Sequence, residues 1–431
     1  MTAIIVVAGV TATLVGCSSQ PDTDLAEPVG RPTVEAAAAH QHPNQAAPVT
    51  TADAGELRAT LEQLLGQHAF LTVRLTRARV NEDADLAQSA DAALGKNTAD
   101  MGDAIEAVYG ADAAQEFEEL WAGHVTDLFD YARGVADDDA AVQAQARSEL
   151  DDYTVNLGQF FEEATKQAAP ADAVTAELRT HLDQLLQQVD AYAAGDYERS
   201  FALERESYAH MFPLGKTLAA AIVTGAGATL PADFDGPASQ LQSQLGMVLG
   251  EHAELAVDAM RAGVAGGSDF PAAGAALDEN TRQITAMIES VFGADSAESF
   301  QQLWADHIDA FVTYTQAVAA GDAALEETAG ERLTAFNAEF AGFLSSSTDG
   351  RLGAPALVEG FVMHEDLLVR QVNAYAEGDF STAHELSYDA YQHMFALAAQ
   401  LATAIGDTVA GRSPAGGAET GAGGMATTMR H

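Results

Sequence analysis

Lysine is nearly missing from this chain: only Lys96, Lys166 and Lys216 occur among 431 residues. Against 64 Asp+Glu there are 20 Lys+Arg, for a formal net charge of −44. Phosphate contacts need a basic surplus, so this balance excludes a nucleic-acid partner. It also disfavours docking onto an anionic membrane surface. Cysteine occurs once, at Cys17. No intrachain disulfide can form, and the folded part must be held by its core. There is no Ser-His-Asp order, no P-loop and no Gly-x-Gly-x-x-Gly after a strand, so no enzyme class is written in motifs. General disorder is excluded in turn by a hydrophobic content of 48%.

The first sixteen residues, MTAIIVVAGVTATLVG, are uncharged and largely apolar. They fall short of the about 20 residues of a comfortable spanning helix. Leu14-Val15-Gly16-Cys17 looks like a bacterial lipobox: an aliphatic residue, a small residue, then the thiol that takes the lipid. The absence of Lys or Arg before the apolar run departs from that pattern. The expectation is a signal peptide over 1–16, lipidation at Cys17, and a chain lipid-anchored outside the cytoplasm, on the outer face of the bacterial cell membrane. A short anchor with a chance cysteine is the alternative. Residues 17–52, rich in Pro, Ser, Thr and Ala, read as a flexible tether. The His40-x-His42 pair inside it reads as linker rather than as a metal site.

The body is an internal repeat. GQHAFL (66–71) matches GEHAEL (250–255), and VYGADAAQEFEELWAGHV (108–125) matches VFGADSAESFQQLWADHI (291–308). VDAYAAGDYERSFALERESYAHMF (189–212) matches VNAYAEGDFSTAHELSYDAYQHMF (372–395). The first copy is expected over 53–225, a Pro/Gly/Asp linker over 226–236, the second copy over 237–407, and a disordered Gly-rich tail over 408–431. The first copy holds 12 Lys+Arg and 32 Asp+Glu, the second 5 and 25. Each nets −20, so the acidity belongs to the module.

Ala, Leu, Gln and Glu dominate both copies, and apolar residues recur at three- and four-residue steps, as in Leu61, Leu64, Leu65, Leu71 and Leu75. Gly110, Gly134, Pro170 and Gly195 mark breaks in the first copy, with Gly293, Gly321 and Gly378 in the second. Asp196 and Asp379 suit N-caps. This pattern predicts an all-α protein: two tandem antiparallel bundles of about six helices each, in the first copy near 55–80, 84–108, 112–135, 139–167, 171–194 and 196–222.

Eight of the twelve histidines form four repeated pairs: His68/His252, His124/His307, His181/His364 and His210/His393. They fall on the first, third, fifth and sixth helices, each flanked by apolar residues at helical spacing and each near its helix midpoint. In an antiparallel bundle midpoints share one level, so four imidazoles are expected to converge in each module, with Asn97 or Asn280 beside them. Glu206 and Asp389 stand four residues before His210 and His393 and are expected to be accessory ligands or to orient the ring. A lone inward histidine is usually a satisfied core residue. Four at one level need eight ring nitrogens satisfied in an apolar layer, and a metal satisfies four at once. Nitrogen-rich donors suit copper, zinc or iron. A chain outside the cytoplasm favours copper or zinc; bis-histidine haem remains an alternative, and a di-iron site lacks its Glu-x-x-His pairs. Met211, Met394, Trp121, Trp304, Tyr192/Tyr375 and Tyr208/Tyr391 read as packing.

The strings LW-x-x-H, AY-x-x-GD and AY-x-HMF, with Glu279-Asn280-Thr281, resemble a bacterial secreted family. Its members carry one or two such helical modules, some beside a copper-amine-oxidase N-terminal-like domain. The resemblance implies secretion and the repeat, and points towards copper. Three functions remain open at this stage. The first is metal capture, storage or delivery at the cell envelope, without turnover. The second is a structural or interaction module with an envelope partner and a buried polar layer. The third is a haem or metal redox protein.

Overall fold

The structure, a computed structural model, describes residues 54–412. Cys17, the tether with His40 and His42, and the tail beyond 412 lie outside the described residues. Twelve helices and no strand occur among the described residues. The first copy contains α1 (Ala54–Val80), α2 (Ala84–Tyr109), α3 (Ala111–Ala136), α4 (Ala140–Ala164), α5 (Ala171–Ala193) and α6 (Tyr197–Gly225). The second contains α7 (Pro237–Ala265), α8 (Phe270–Phe292), α9 (Ala294–Ala320), α10 (Ala323–Ser347), α11 (Ala354–Ala376) and α12 (Phe380–Arg412). None is long and apolar enough to cross a membrane. Helix α12 continues past the expected boundary at 407, and the Thr408 hydroxyl donates to the Thr348 carbonyl.

Local chemistry sets the helix ends. Asp83, Asp139, Asp196, Asp322 and Asp379 each accept from a backbone N–H two or three residues on, which satisfies a donor the helix leaves free. Gly134 is not a break. It is buried inside α3, where an added Cβ would lie 2.9 Å from the Gln143 nitrogen of α4. The turn after α3 instead places Asp138 at φ +53, the conformation that Gly321 (φ +65) takes in the second copy. Asp is among the few residues with a side chain that tolerate it.

Helix α1 sits at the centre of the first half, packed by α2, α3, α5 and α6; α7 holds the same place in the second. From Leu64 to Ala78 every residue of α1 is buried. A single bundle accounts for only part of that, because this stretch includes Gln67, His68, Thr72, Arg74, Thr76 and Arg77. The remaining face of α1 is covered by the other copy. Helices α1 and α7 touch, α6 lies on α7 and α8, and α12 lies on α1 and α2. Equivalent residues meet: the Tyr208 and Tyr391 hydroxyls are 3.4 Å apart, and the Phe212 and Phe395 rings stack with centroids 6.2 Å apart. This is the self-complementary pattern of a two-fold interface, built within one chain. The tyrosines read as bundle packing therefore join the halves. Gly66 and Gly250 make room for them; a Cβ at Gly66 would lie 2.5 Å from the Tyr391 hydroxyl.

The same interface buries charge. Arg74 of α1 and Asp258 of α7 are equivalent positions, and Arg74 Nε donates to Asp258 Oδ1 at 2.7 Å. Arg74 Nη1 reaches Glu254 at 2.5 Å and Ser387 Oγ at 2.7 Å. Arg77 Nη2 donates to Glu204 at 2.8 Å, and Arg77 Nη1 lies 3.3 Å from Asp258. With Arg261, three guanidinium groups face three carboxylates, all buried. Burial opposes the charge on Asp258, yet Arg74 and Arg77 outweigh it and hold the carboxyl below the usual range. Burial also opposes the Arg74 charge, and Asp258 and Glu254 overcome it and raise its pKa. Arg261 is less well served: burial, with Arg74 nearby, brings it down to about 9.

Removing one member of a buried pair strands its partner, at about 3–5 kcal/mol. Arg74→Leu should therefore lower unfolding stability by about that much in urea titrations. Arg74→Leu combined with Asp258→Leu should recover a large part of the loss, since the double change leaves fewer buried charges alone.

Candidate metal centre

Three of the four repeated histidines converge in each half. His68, His124 and His181 extend from α1, α3 and α5, and His252, His307 and His364 from α7, α9 and α11; all six are buried. Because α1 and α7 are central, His68 and His252 stand in the middle of their layers. Ring centroids are 5.1 Å apart for His68–His124 and 6.1 Å for His68–His181. In the second half all three pairs are close: 6.0 Å for His252–His307, 5.7 Å for His252–His364 and 6.2 Å for His307–His364. Trp121 and Trp304 lie 4.7 Å from His68 and His252, so they pack the layer as expected. Asn97 and Asn280 also reach the level, but their amides donate to the Leu64 and Val248 carbonyls one turn before His68 and His252.

The two layers differ in how their nitrogens are satisfied. In the first half, His181 Nδ1 lies 3.0 Å from Ser207 Oγ, His68 Nε2 lies 3.4 Å from Thr72 Oγ1, and His124 Nε2 lies 3.1 Å from His68 Nε2. The positions equivalent to Thr72 and Ser207 are Ala256 and Ala390. With the hydroxyls gone, neither ring nitrogen of His252 or His364 has a hydrogen-bond partner, nor does His307 Nδ1. One nitrogen from each of these three rings lies within 4.8 Å of the others, close enough to meet at one ion. Among the described residues this is the group of His, Cys, Asp or Glu side chains with that property.

An acid joins the second layer that sequence reasoning missed. Glu365, next to His364, replaces Leu182, and Asn337 replaces Thr154. Asn337 Nδ2 donates to Glu365 Oε2 at 2.6 Å, while Glu365 Oε1 has no hydrogen bond and stands 3.7 Å from His307 Nδ1. Burial pushes the Glu365 carboxyl up to about 8, against the opposing pull of Asn337. The signal lay in the places where the copies disagree at inward positions. His307, His364 and Glu365 border a cavity of about 60 Å³ whose other walls are apolar. The first half has an apolar space of about 20 Å³ there, which does not reach its histidines.

His210 and His393 do not join the layers, contrary to expectation. Each ring turns to the seam with the preceding helix: His210 Nε2 lies 3.1 Å from the Glu177 carbonyl, and His393 Nε2 lies 2.8 Å from the Gly360 carbonyl. Glu206 and Asp389 are exposed, and Glu206 pairs with Arg199 at 3.0 Å. The cause is helical phase. The inward face of α6 passes through Glu204, Ser207, Tyr208 and Met211, so a residue one step before Met211 falls at its edge. Met394 thus lines the cavity where His393 was expected. That cavity also leaves no room for a porphyrin, since pockets for ligands of that size run to hundreds of Å³.

Compared with protein-family models, with curated proteins and with solved structures, the chain matches none.

The buried imidazoles are held neutral. Burial lowers His252 to about 4, and burial with the neighbouring His181 lowers His124 to about 3. His68, His181, His307 and His364 are all lowered well below 6.5, again mainly by burial. In the unfolded chain these rings titrate near 6.5. Between there and about pH 4 the unfolded state binds more protons, so stability is full above pH 6.5 and is lost as pH falls. Each ring contributes up to about 1.4 kcal/mol per pH unit in that window. The urea midpoint of metal-free protein should drop steeply from pH 7 to pH 5, and His252→Gln should make the drop shallower.

Proposed function

We propose that the chain binds one transition metal, copper or zinc, through His252, His307 and His364 of its second half. The role is capture, storage or delivery at the bacterial cell envelope, with Cys17 as the lipid anchor. The observation that carries this reading is the set of unpartnered ring nitrogens. Buried polar atoms are almost always hydrogen-bonded, and leaving several bare in one layer costs about 1–3 kcal/mol each. A cation at the centre of the triad satisfies one nitrogen from each ring. Neutral imidazole is the form a metal needs, and the depressed pKa values keep it available without proton loss. Three histidines leave a coordination position open. Glu365, with Oε1 3.7 Å from His307 Nδ1, is placed to orient that ring beside it. Met394, in the same cavity, offers a soft thioether that suits copper.

The first half supports a different role. Thr72, Ser207 and the His68–His124 contact each partner one nitrogen of a ring, and no acid is present. His68 Nδ1, His124 Nδ1 and His181 Nε2 are also without partners, but among the described residues only His252, His307 and His364 bring one nitrogen each to a common point, so we read the first layer as structural and the chain as holding one site rather than the expected two.

Elemental analysis after reconstitution of metal-free protein with Cu(I) or Zn(II) should give close to one ion per chain. His252→Gln and His364→Gln should abolish it, whereas His68→Gln, His181→Gln and His393→Gln should retain it. Glu365→Leu should weaken it about 10–100-fold. No metal in the unmodified protein sinks the reading. Separately, Cys17→Ser should move the chain from the membrane fraction to the soluble fraction.

A further inference from the structure

The cavity beside the triad has no counterpart of its size in the first half, although the same positions surround both. Leu245, Leu249, Trp304 and Leu397 repeat Leu61, Leu65, Trp121 and Leu214. The difference lies in a few substitutions. Met101 becomes Ile284 and Phe161 becomes Leu344, each a loss of reach into the centre. Meanwhile Leu157 and Leu178 become Phe340 and Phe361. These aromatics form a stiff wall: Phe336 and Phe340 stack with centroids 5.1 Å apart, Phe340 and Phe361 lie 5.0 Å apart, and Phe340 meets Trp304 at 5.6 Å. Tightly packed rings resist the collapse that closes a void.

A space of about 60 Å³ exceeds what one water requires. A buried water also needs two to four polar partners. Here the polar side chains of the lining are His307, His364 and Glu365, with the unpartnered indole N–H of Trp304; every other lining residue is apolar. A water away from the histidines would find at most that one donor, too few partners to hold it. The cavity is also well below the about 150 Å³ at which an apolar protein cavity admits benzene. What fits is a neutral molecule of two or so heavy atoms, which leaves water readily for an apolar space.

We propose that this cavity is a dry chamber for a neutral diatomic gas of dioxygen size, and that it opens onto the histidine triad. The chamber exists without any ion; its service to a metal rests on the metal-binding reading above. Such a gas would collect beside the open coordination position that three histidine ligands leave.

The test uses the full chain and a variant that imports the first half's packing, Ile284→Met with Leu344→Phe. Metal-free protein is titrated with xenon and followed by ¹²⁹Xe NMR, with the bound atom located in a xenon-pressurised crystal. Xenon is expected in the cavity of the unmodified chain and absent from the variant. No xenon at saturation, or ordered water filling the space, overturns the chamber. In a second arm, Cu(I)-loaded protein is mixed with carbon monoxide. Association should be at least tenfold slower in the variant, with copper content measured alongside to show an intact triad. Equal rates overturn the link between chamber and triad. Failure of copper to bind overturns the metal reading alone, and the xenon arm still decides the chamber.

Discussion

A carboxylate opposite a guanidinium at one duplicated position, Asp258 against Arg74, is the contact on which the arrangement of the halves depends. Both groups are buried, both hold their charge, and neither finds an equal partner inside its own bundle. Burying them is favourable only with the two copies face to face, because an isolated buried ion costs several kcal/mol. From this follow the all-round burial of α1 and α7 and the meeting of Tyr208 with Tyr391. The central position of His68 and His252 follows as well. A helix that carries arginine, threonine, glutamine and histidine through the middle of a bundle is tolerable when a second bundle completes its surroundings.

Duplication lets each half serve as the control for the other. The layers share three histidines and a tryptophan. One has hydroxyls at Thr72 and Ser207 and a leucine at 182. The other has alanines at the hydroxyl positions and carries Glu365 and Asn337. Partnered polar atoms inside a core give a rigid structural layer. Bare ones are a standing cost unless something arrives to use them. The cavity follows the same division, about 20 Å³ where one nitrogen of each ring is partnered and about 60 Å³ where His252 and His364 have none.

Much of the fold was legible because the repeat and the 3.6-residue periodicity are strong over long stretches. The six helices expected in the first copy match α1 to α6 closely, and Asp196 and Asp379 cap as anticipated. Three features escaped. The face of α6 was set by Leu203 and Leu214, which flank His210 at plausible spacing. The burial of Ser207, Tyr208 and Met211 rotates that face by a fraction of a turn, which a few residues of pattern do not resolve. Gly134 looked like a break because glycine often is one; here its missing side chain admits α4. Glu365 is not legible from the positions the copies share, because the acid stands opposite Leu182 and occurs in one copy alone.

Because position 74 is arginine and its counterpart 258 is aspartate, the interface is also a rule of composition. Two first halves brought together would set arginine against arginine, and two second halves aspartate against aspartate. Either pairing places like charges in a dry seam. Pairing unlike halves avoids that repulsion, and tethering them in one polypeptide supplies them in equal number. The molecule thus resembles a heterodimer written as a monomer, in which each half completes the charge that the other buries.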